Sequence, residues 1–151
     1  MTAVSVVAPG MANDEALSAL LGSRNLGVLA TLKRDGRPQL SNVTHFYDAE
    51  NRRILVSLTD GRAKTKNLRR DPRASYHVTS EDGWSYVVAE GDAELSAVAA
   101  DPHDAAVEEL IDLYRKVQGE HPDWDDYRRA MVEDRRLVLR LPVTRVYGMA
   151  R

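Results

Sequence analysis

Apolar positions along this chain change their spacing as it proceeds, and each change marks a different kind of element. Leu17, Leu20 and Leu21 fall on one face of a helix that Asn13 can cap. From Asn25 to Lys33 the pattern turns to short, partly β-branched runs, and Arg34-Asp35-Gly36 reads as a hairpin turn. Arg37 to Tyr47 is the predicted returning strand, with Pro38 at its start, where a missing N–H is tolerated. A turn over Asp48 to Asn51 leads to a third strand, Arg53 to Ser57. Arg62 to Arg70 is a short helix stopped by Pro72, whose ring disfavours helix at Asp71. Ala74 to Thr79 and Trp84 to Glu90 are the fourth and fifth strands, joined by a turn at Glu81-Asp82-Gly83. Gly91 then bends the chain or marks a bulge before it continues to Leu95.

Helical spacing returns at Ala106, Leu110, Leu113, Tyr114 and Val117, within a predicted helix from Asp101 to Gln118. Asp101-Pro102 supplies its cap and first turn, and Gly119 ends it. A second helix, Asp123 to Asp134, carries Trp124, Tyr127 and Met131 on one face. Leu137 to Leu141 and Val143 to Tyr147 close the chain as strands. Strands in hairpin order with two helices predict a mainly β fold, a small antiparallel barrel with helices on its side. Residues 1–12 are expected to be a poorly ordered lead and 13–151 one domain.

Composition narrows the function. No apolar run approaches the ~18 residues that span a membrane, and Met1 to Gly10 lacks the basic flank of a secretory signal. There is no cysteine, so thiolate chemistry and disulfides are excluded, and a cytoplasmic location is expected. With net charge -2 and pI ≈ 6.1, general binding to nucleic acid is not expected.

Against that background the segment from Gly61 to Arg73 stands out, with six basic residues and one acid. Between Arg73 and Arg115 there is no Lys or Arg at all. A Ser after a strand, a turn with Gly, then Arg-x-Lys opening a helix is the composition of an anion site: Ser57, Gly61, Arg62, Lys64. Arg62 and Lys64 oppose the helix dipole, which leaves ligand contact as their purpose; Arg69, Arg70 and Arg73 read as a solvated face. His45, His77, His103 and His121 are scattered without metal-ligand spacing and read as structural. No Gly-x-Gly-x-x-Gly, Walker loop or hydrolytic triad is present. A bound cofactor is therefore expected to carry the chemistry. The hairpin of Val28 to Leu32 and Arg37 to Val43 interleaves small and polar groups (Ala30, Thr31, Gln39, Ser41, Asn42) with apolar ones, a surface that suits a flat heteroaromatic ring.

Four motifs occur in order: Leu29-Ala30-Thr31-Leu32; Gly36-Arg37-Pro38-Gln39-Leu40-Ser41-Asn42; Arg62-Ala63-Lys64-Thr65-Lys66-Asn67-Leu68 followed by Asp71-Pro72-Arg73-Ala74; and Gly83-Trp84-x-Tyr86 with Glu90-Gly91. Together with Asp123-Trp124-Asp125-Asp126-Tyr127-Arg128 and Val146-Tyr147-Gly148 they resemble the actinobacterial deazaflavin-dependent branch of the pyridoxamine 5'-phosphate oxidase-like superfamily, over about residues 13–149. The resemblance implies a split β-barrel homodimer with two cofactor sites at the subunit interface. It implies coenzyme F420, an 8-hydroxy-5-deazaflavin bearing a phosphate and an oligoglutamate tail. Ser57, Arg62 and Lys64 would hold the phosphate, with Ala63 and Thr65 beside them also contacting the cofactor. Ala30, Thr31, Leu32, Pro38, Gln39, Leu40 and Ser41 would line the ring. Trp84 would reach the cofactor from the opposite subunit or pack the interface. Lys66 and Arg69 would meet the tail. The implied reaction is hydride transfer to an electron-poor acceptor such as a quinone, nitro compound or tetrapyrrole. Two alternatives stay open: an FMN-dependent oxidase of pyridoxamine phosphate, and a non-catalytic F420 carrier.

Overall fold

A computed structural model describes the backbone of residues 9–150 and the side chains of residues 13–150. Of the expected loose lead over residues 1–12, residues 1–8 lie outside the described residues, and the backbone of 9–12 belongs to the first helix. Helix α1 runs Pro9–Ser23, so Asn13 lies inside it and is not its cap; proline suits a first helical turn because its missing N–H has no partner to lose there. Leu17 and Leu21 are fully buried on the face the spacing predicts.

Nine strands follow among the described residues: β1 (Leu26–Leu32), β2 (Pro38–Thr44), β3 (Phe46–Asp48), β4 (Arg53–Thr59), β5 (Arg73–Thr79), β6 (Tyr86–Asp92), β7 (Glu94–Leu95), β8 (Arg136–Pro142) and β9 (Arg145–Met149). Helix α2 (Ala63–Arg70) separates β4 from β5, and α3 (Ala105–Gln118) and α4 (Trp124–Glu133) separate β7 from β8. The strands form two antiparallel sheets, β2-β1-β5-β6-β9 and β3-β4-β8-β7. Helices flank them, and no helix of the described residues is long and apolar enough to cross a membrane.

The expected single strand from Arg37 to Tyr47 is two strands in two sheets. The break falls at His45, which is buried. Its N–H donates to the Asn25 carbonyl (2.8 Å), Nε2–H donates to the Leu21 carbonyl (2.9 Å), and Nδ1 accepts from the Tyr76 hydroxyl (2.6 Å). The bonds lead to the link before β1, to α1 and to β5, so the chain turns inward there and re-emerges in the other sheet. β6 and β7 repeat the crossing at Ala93, whose N–H reaches the Pro72 carbonyl (2.7 Å). Gly91 is a close-approach site rather than a bulge. It stays in register opposite Ala74, and a Cβ there would sit 2.0 Å from the Pro142 carbonyl oxygen.

The main core lies between the sheets, where Leu29, Tyr76, Val78 and Val87 meet Ile54, Val56, Leu58, Leu137, Leu139 and Leu141. A second core lies outside the four-stranded sheet, where Leu55 and Val138 pack against Val107, Leu110, Ile111 and Met131 of α3 and α4. β4 and β8 are thus covered on both faces, which explains their nearly continuous apolar runs. The expected Asp101-Pro102 start of α3 is displaced: Asp104 is the cap. Its Oδ1 accepts from Val107 N–H (2.9 Å), and its Oδ2 from Ala100 N–H (2.9 Å) and Asp101 N–H (3.1 Å). Gly119 ends α3 with φ 82°, a conformation that favours glycine. Asp123 caps α4 by accepting from Asp126 N–H (3.1 Å).

Candidate functional site

β4 delivers the chain through Asp60 and Gly61 into α2, whose start departs from ordinary helix chemistry. Its N-cap is Arg62, which makes no side-chain capping bond, and its first turn holds no acid. Helix starts normally place an oxygen acceptor and negative charge at this end. Here Arg62 and Lys64 stand instead. The helix is held by other means. Thr65 Oγ1 donates to the Thr59 carbonyl (2.8 Å), and Asn67 Nδ2 donates to Thr31 Oγ1 (3.1 Å) and Gln39 Oε1 (2.9 Å). Arg70 adds bonds to the Leu32 carbonyl (2.7 Å) and Asn67 Oδ1 (3.0 Å). α2 is therefore fastened to the β1-β2 hairpin from its middle and end, leaving its start free to face a cleft.

That cleft has a volume of about 520 Å³. One wall is Ser57, Thr59, Arg62 and Lys64; a second is Asn42, Val43 and Thr44 of β2. The third is apolar and aromatic, with Leu110, Leu113, Tyr114 and Val117 of α3 and Tyr127 and Met131 of α4. Arg136, opposite Thr59 in the β4-β8 register, completes it. Tyr127 is held rigid: its hydroxyl donates to the Leu110 carbonyl (3.0 Å), and burial pushes its pKa up to about 12. Tyr114 packs on it edge-on at 5.1 Å, and Trp124 meets both rings at 5.6 and 5.5 Å. The aromatic wall is a preorganised surface.

The charges in the cleft are uncompensated. Among the described residues, no ion pair involves Arg62, Lys64 or Arg136. Neighbouring arginines are all engaged: Arg69 with Asp60 (2.7 Å), Arg135 with the same carboxylate (3.0 Å), Arg73 with Asp71 (2.8 Å). Burial, then the charges of Arg62 and Arg136, hold the Lys64 ammonium below the usual lysine range. Arg136 Nη1 reaches Ser57 Oγ only at 3.5 Å, and its enclosed Nε has no acceptor among the described residues. Leaving a buried donor unmet costs roughly 1–3 kcal/mol. Three like charges and an orphaned donor, walled on one side by aromatic rings, suit an anion attached to an apolar body.

Ser57, Arg62 and Lys64 line one cleft. Ala63 is exposed beside them, and Thr65 is buried and committed to Thr59. The predicted ring-lining hairpin divides between two faces, because strand residues alternate. Thr31 and Gln39 turn toward α2 and bind Asn67, and Ser41 is half-buried opposite Leu29. Ala30, Leu32, Pro38 and Leu40 turn to the outer face of the five-stranded sheet. Ala30, Thr31, Leu32 and Pro38 border a second cleft of about 470 Å³, with Arg73, Glu90 and Arg145. Trp84 sits in the turn before β6 rather than in the strand, and is 67% exposed. Lys66 is exposed, while Arg69 is occupied by Asp60. Arg136, Tyr114 and Tyr127 escape a sequence reading. They lie some fifty or more positions from Ser57 and reach the cleft only through the β4-β8 pairing and the packing of α3 and α4.

The family profile described as pyridoxamine 5'-phosphate oxidase matches residues 13–150. The chain belongs to this family. Solved structures repeat its fold. A conserved hypothetical protein from Mycobacterium tuberculosis is 22% identical with a TM-score of 0.68, over 96% of this chain and 86% of that chain. A structure described as an F420 reductase is 23% identical with a TM-score of 0.63, over 86% of this chain and 94% of that one. A candidate pyridoxamine 5'-phosphate oxidase from Listeria innocua is 18% identical with a TM-score of 0.62, over 90% of this chain and 96% of that one. At these identities the likeness is one of fold. The family takes its description from an oxidase, and one structure of the same fold is described as a reductase.

Proposed function

We propose that the protein binds coenzyme F420 and transfers hydride between it and an electron-poor organic acceptor such as a quinone, nitro compound or tetrapyrrole. The observation that carries this reading is the cationic cleft at the start of α2, where Arg62 and Lys64 have no acidic partner among the described residues. The residues fit a phosphate. Arg62 and Lys64 supply charge, and Ser57 supplies a hydroxyl beside them. When bound, the deazaflavin supplies hydride at ring carbon C5. The chain's own contribution is to hold, orient and screen: near-contact alignment of donor and acceptor provides much of the rate in such reactions. The rings of Tyr114 and Tyr127 give one side of the cleft an apolar surface for the uncharged part of the ligand.

The reading includes a homodimer, in which Trp84 of a second copy completes the site. The outer face of the five-stranded sheet supports it. Leu26, Leu40, Tyr147 and Met149 are all exposed there, around a depression lined by Val28, Ala30, His77 and Val88. A contiguous apolar face of this kind marks an interaction surface.

The family profile itself favours a second reading, an FMN enzyme acting on pyridoxamine phosphate. FMN also joins a ring to a phosphate and would use the same cations. Titration of the purified protein with each cofactor separates the two. Saturable F420 binding, followed by turnover of at least one quinone, nitro or tetrapyrrole acceptor, is the expected result. Binding of FMN with no response to F420 overturns the deazaflavin reading, and F420 binding without turnover of any acceptor indicates a carrier.

A further inference from the structure

The Arg62 and Lys64 pair occupies one side of the cleft. Arg136 stands on another, contributed by the first residue of β8. It is half-buried, opposite Thr59, and its Nε is enclosed without an acceptor among the described residues. Among the described residues its side chain makes one hydrogen bond, Nη1 to Ser57 Oγ at 3.5 Å, the limit of such a bond. Its strand neighbours have plain structural work: Leu137 fills the inter-sheet core and Val138 packs on α3 and α4. Arg140, the other arginine on the outer face of β8, is fully engaged by Glu109, which accepts from both Nε (2.6 Å) and Nη2 (2.5 Å). Arg136 has no such carboxylate. A guanidinium offers two parallel N–H groups to a phosphoryl oxygen pair, a geometry an ammonium cannot match.

We infer that Arg136 is a specificity-determining residue: it closes the anion site from β8 and makes the phosphoryl group, rather than the ring, the part of the ligand on which affinity depends. The inference rests on the reading that a phosphorylated cofactor occupies this cleft, and it assigns the residue that selects for that phosphate. Two cations on the α2 side hold the group from one direction only. The third, across from them, gives it a defined seat beside Ser57.

The experiment compares phosphorylated and unphosphorylated ligands by calorimetry, using FMN against riboflavin, which differ in the phosphate alone, and F420 against the ribityl deazaflavin that lacks both its phosphate and its tail. Wild type is expected to prefer the phosphorylated member of the pair it binds by about tenfold or more, the factor for one charged hydrogen bond. Arg136→Gln should remove most of that preference while leaving affinity for the phosphate-free ligand within about twofold. Arg136→Lys should restore part of it. The apoprotein of Arg136→Gln should melt no lower than wild type, because an unmet buried donor and a like charge have been removed. Equal weakening of both ligands, or a marked loss of apoprotein stability, would show a packing role and overturn the inference. If wild type binds none of the four ligands, the functional reading fails by itself. Titration with pyrophosphate then decides the site: binding lost in Arg136→Gln upholds the assignment, and unchanged or absent binding overturns it.

Discussion

Lys64 and His45 show how single side chains can be set by opposite kinds of environment. Lys64 is crowded by cations and half-buried, so an anion relieves it. Lys64→Ala is expected to weaken cofactor binding by about 1–3 kcal/mol, the range for losing a charged hydrogen-bond partner. Isothermal titration checks this, and affinity within twofold of wild type removes Lys64 from the site. His45 is buried among neutral partners, and that burial holds its pKa below the ordinary histidine value, with the bond to the Leu21 carbonyl a smaller opposing effect. The folded state therefore binds fewer protons than the unfolded chain. Its stability is complete above the unfolded value of about 6.5 and declines as pH falls below it. Urea midpoints taken between about pH 7.5 and about pH 5.5 should fall in wild type. His45→Gln, which keeps a donor for Leu21 but cannot titrate, should flatten that decline. An unchanged slope would place the titration elsewhere.

At the level of elements, the alternation of apolar positions made most strands legible, and helical spacing located α3 and α4 to within a few residues. What the pattern could not show was where a strand changes sheets. Phe46 and Tyr47 continue the β propensity of Val43 and Thr44, and only the buried bonds of His45 reveal the break. The cationic start of α2 was legible because Arg62 and Lys64 contradict a local rule about helix starts. Arg136 was not, since an arginine at the edge of an apolar run looks like any solvated strand end. Asn67 was hidden for another reason: its role as a fastener depends on Thr31 and Gln39, which are distant in sequence. Gly91 tests the packing of β6 on the end of β8. Gly91→Ala places a carbon against the Pro142 carbonyl oxygen, a backbone atom, and should cost about 1–3 kcal/mol or more. A change below about 0.5 kcal/mol in chemical denaturation would show that this end of β8 yields freely.

For the molecule as a whole, the proposed dimer is the property most open to direct measurement. Sedimentation equilibrium is expected to report a dimer, and Leu40→Glu, on the edge strand of the exposed apolar face, should shift it toward monomer with little change in melting temperature. If that monomer still binds cofactor at full strength, Trp84 has no part in the neighbouring site. The order of the strands carries a different consequence. The five-stranded sheet draws on β1, β2, β5, β6 and β9, and the other sheet on the strands between them. Severing the backbone anywhere between β3 and β8 would thus leave each fragment with pieces of both layers and neither layer whole. Split halves of this protein should remain unstructured apart and regain shape only when mixed.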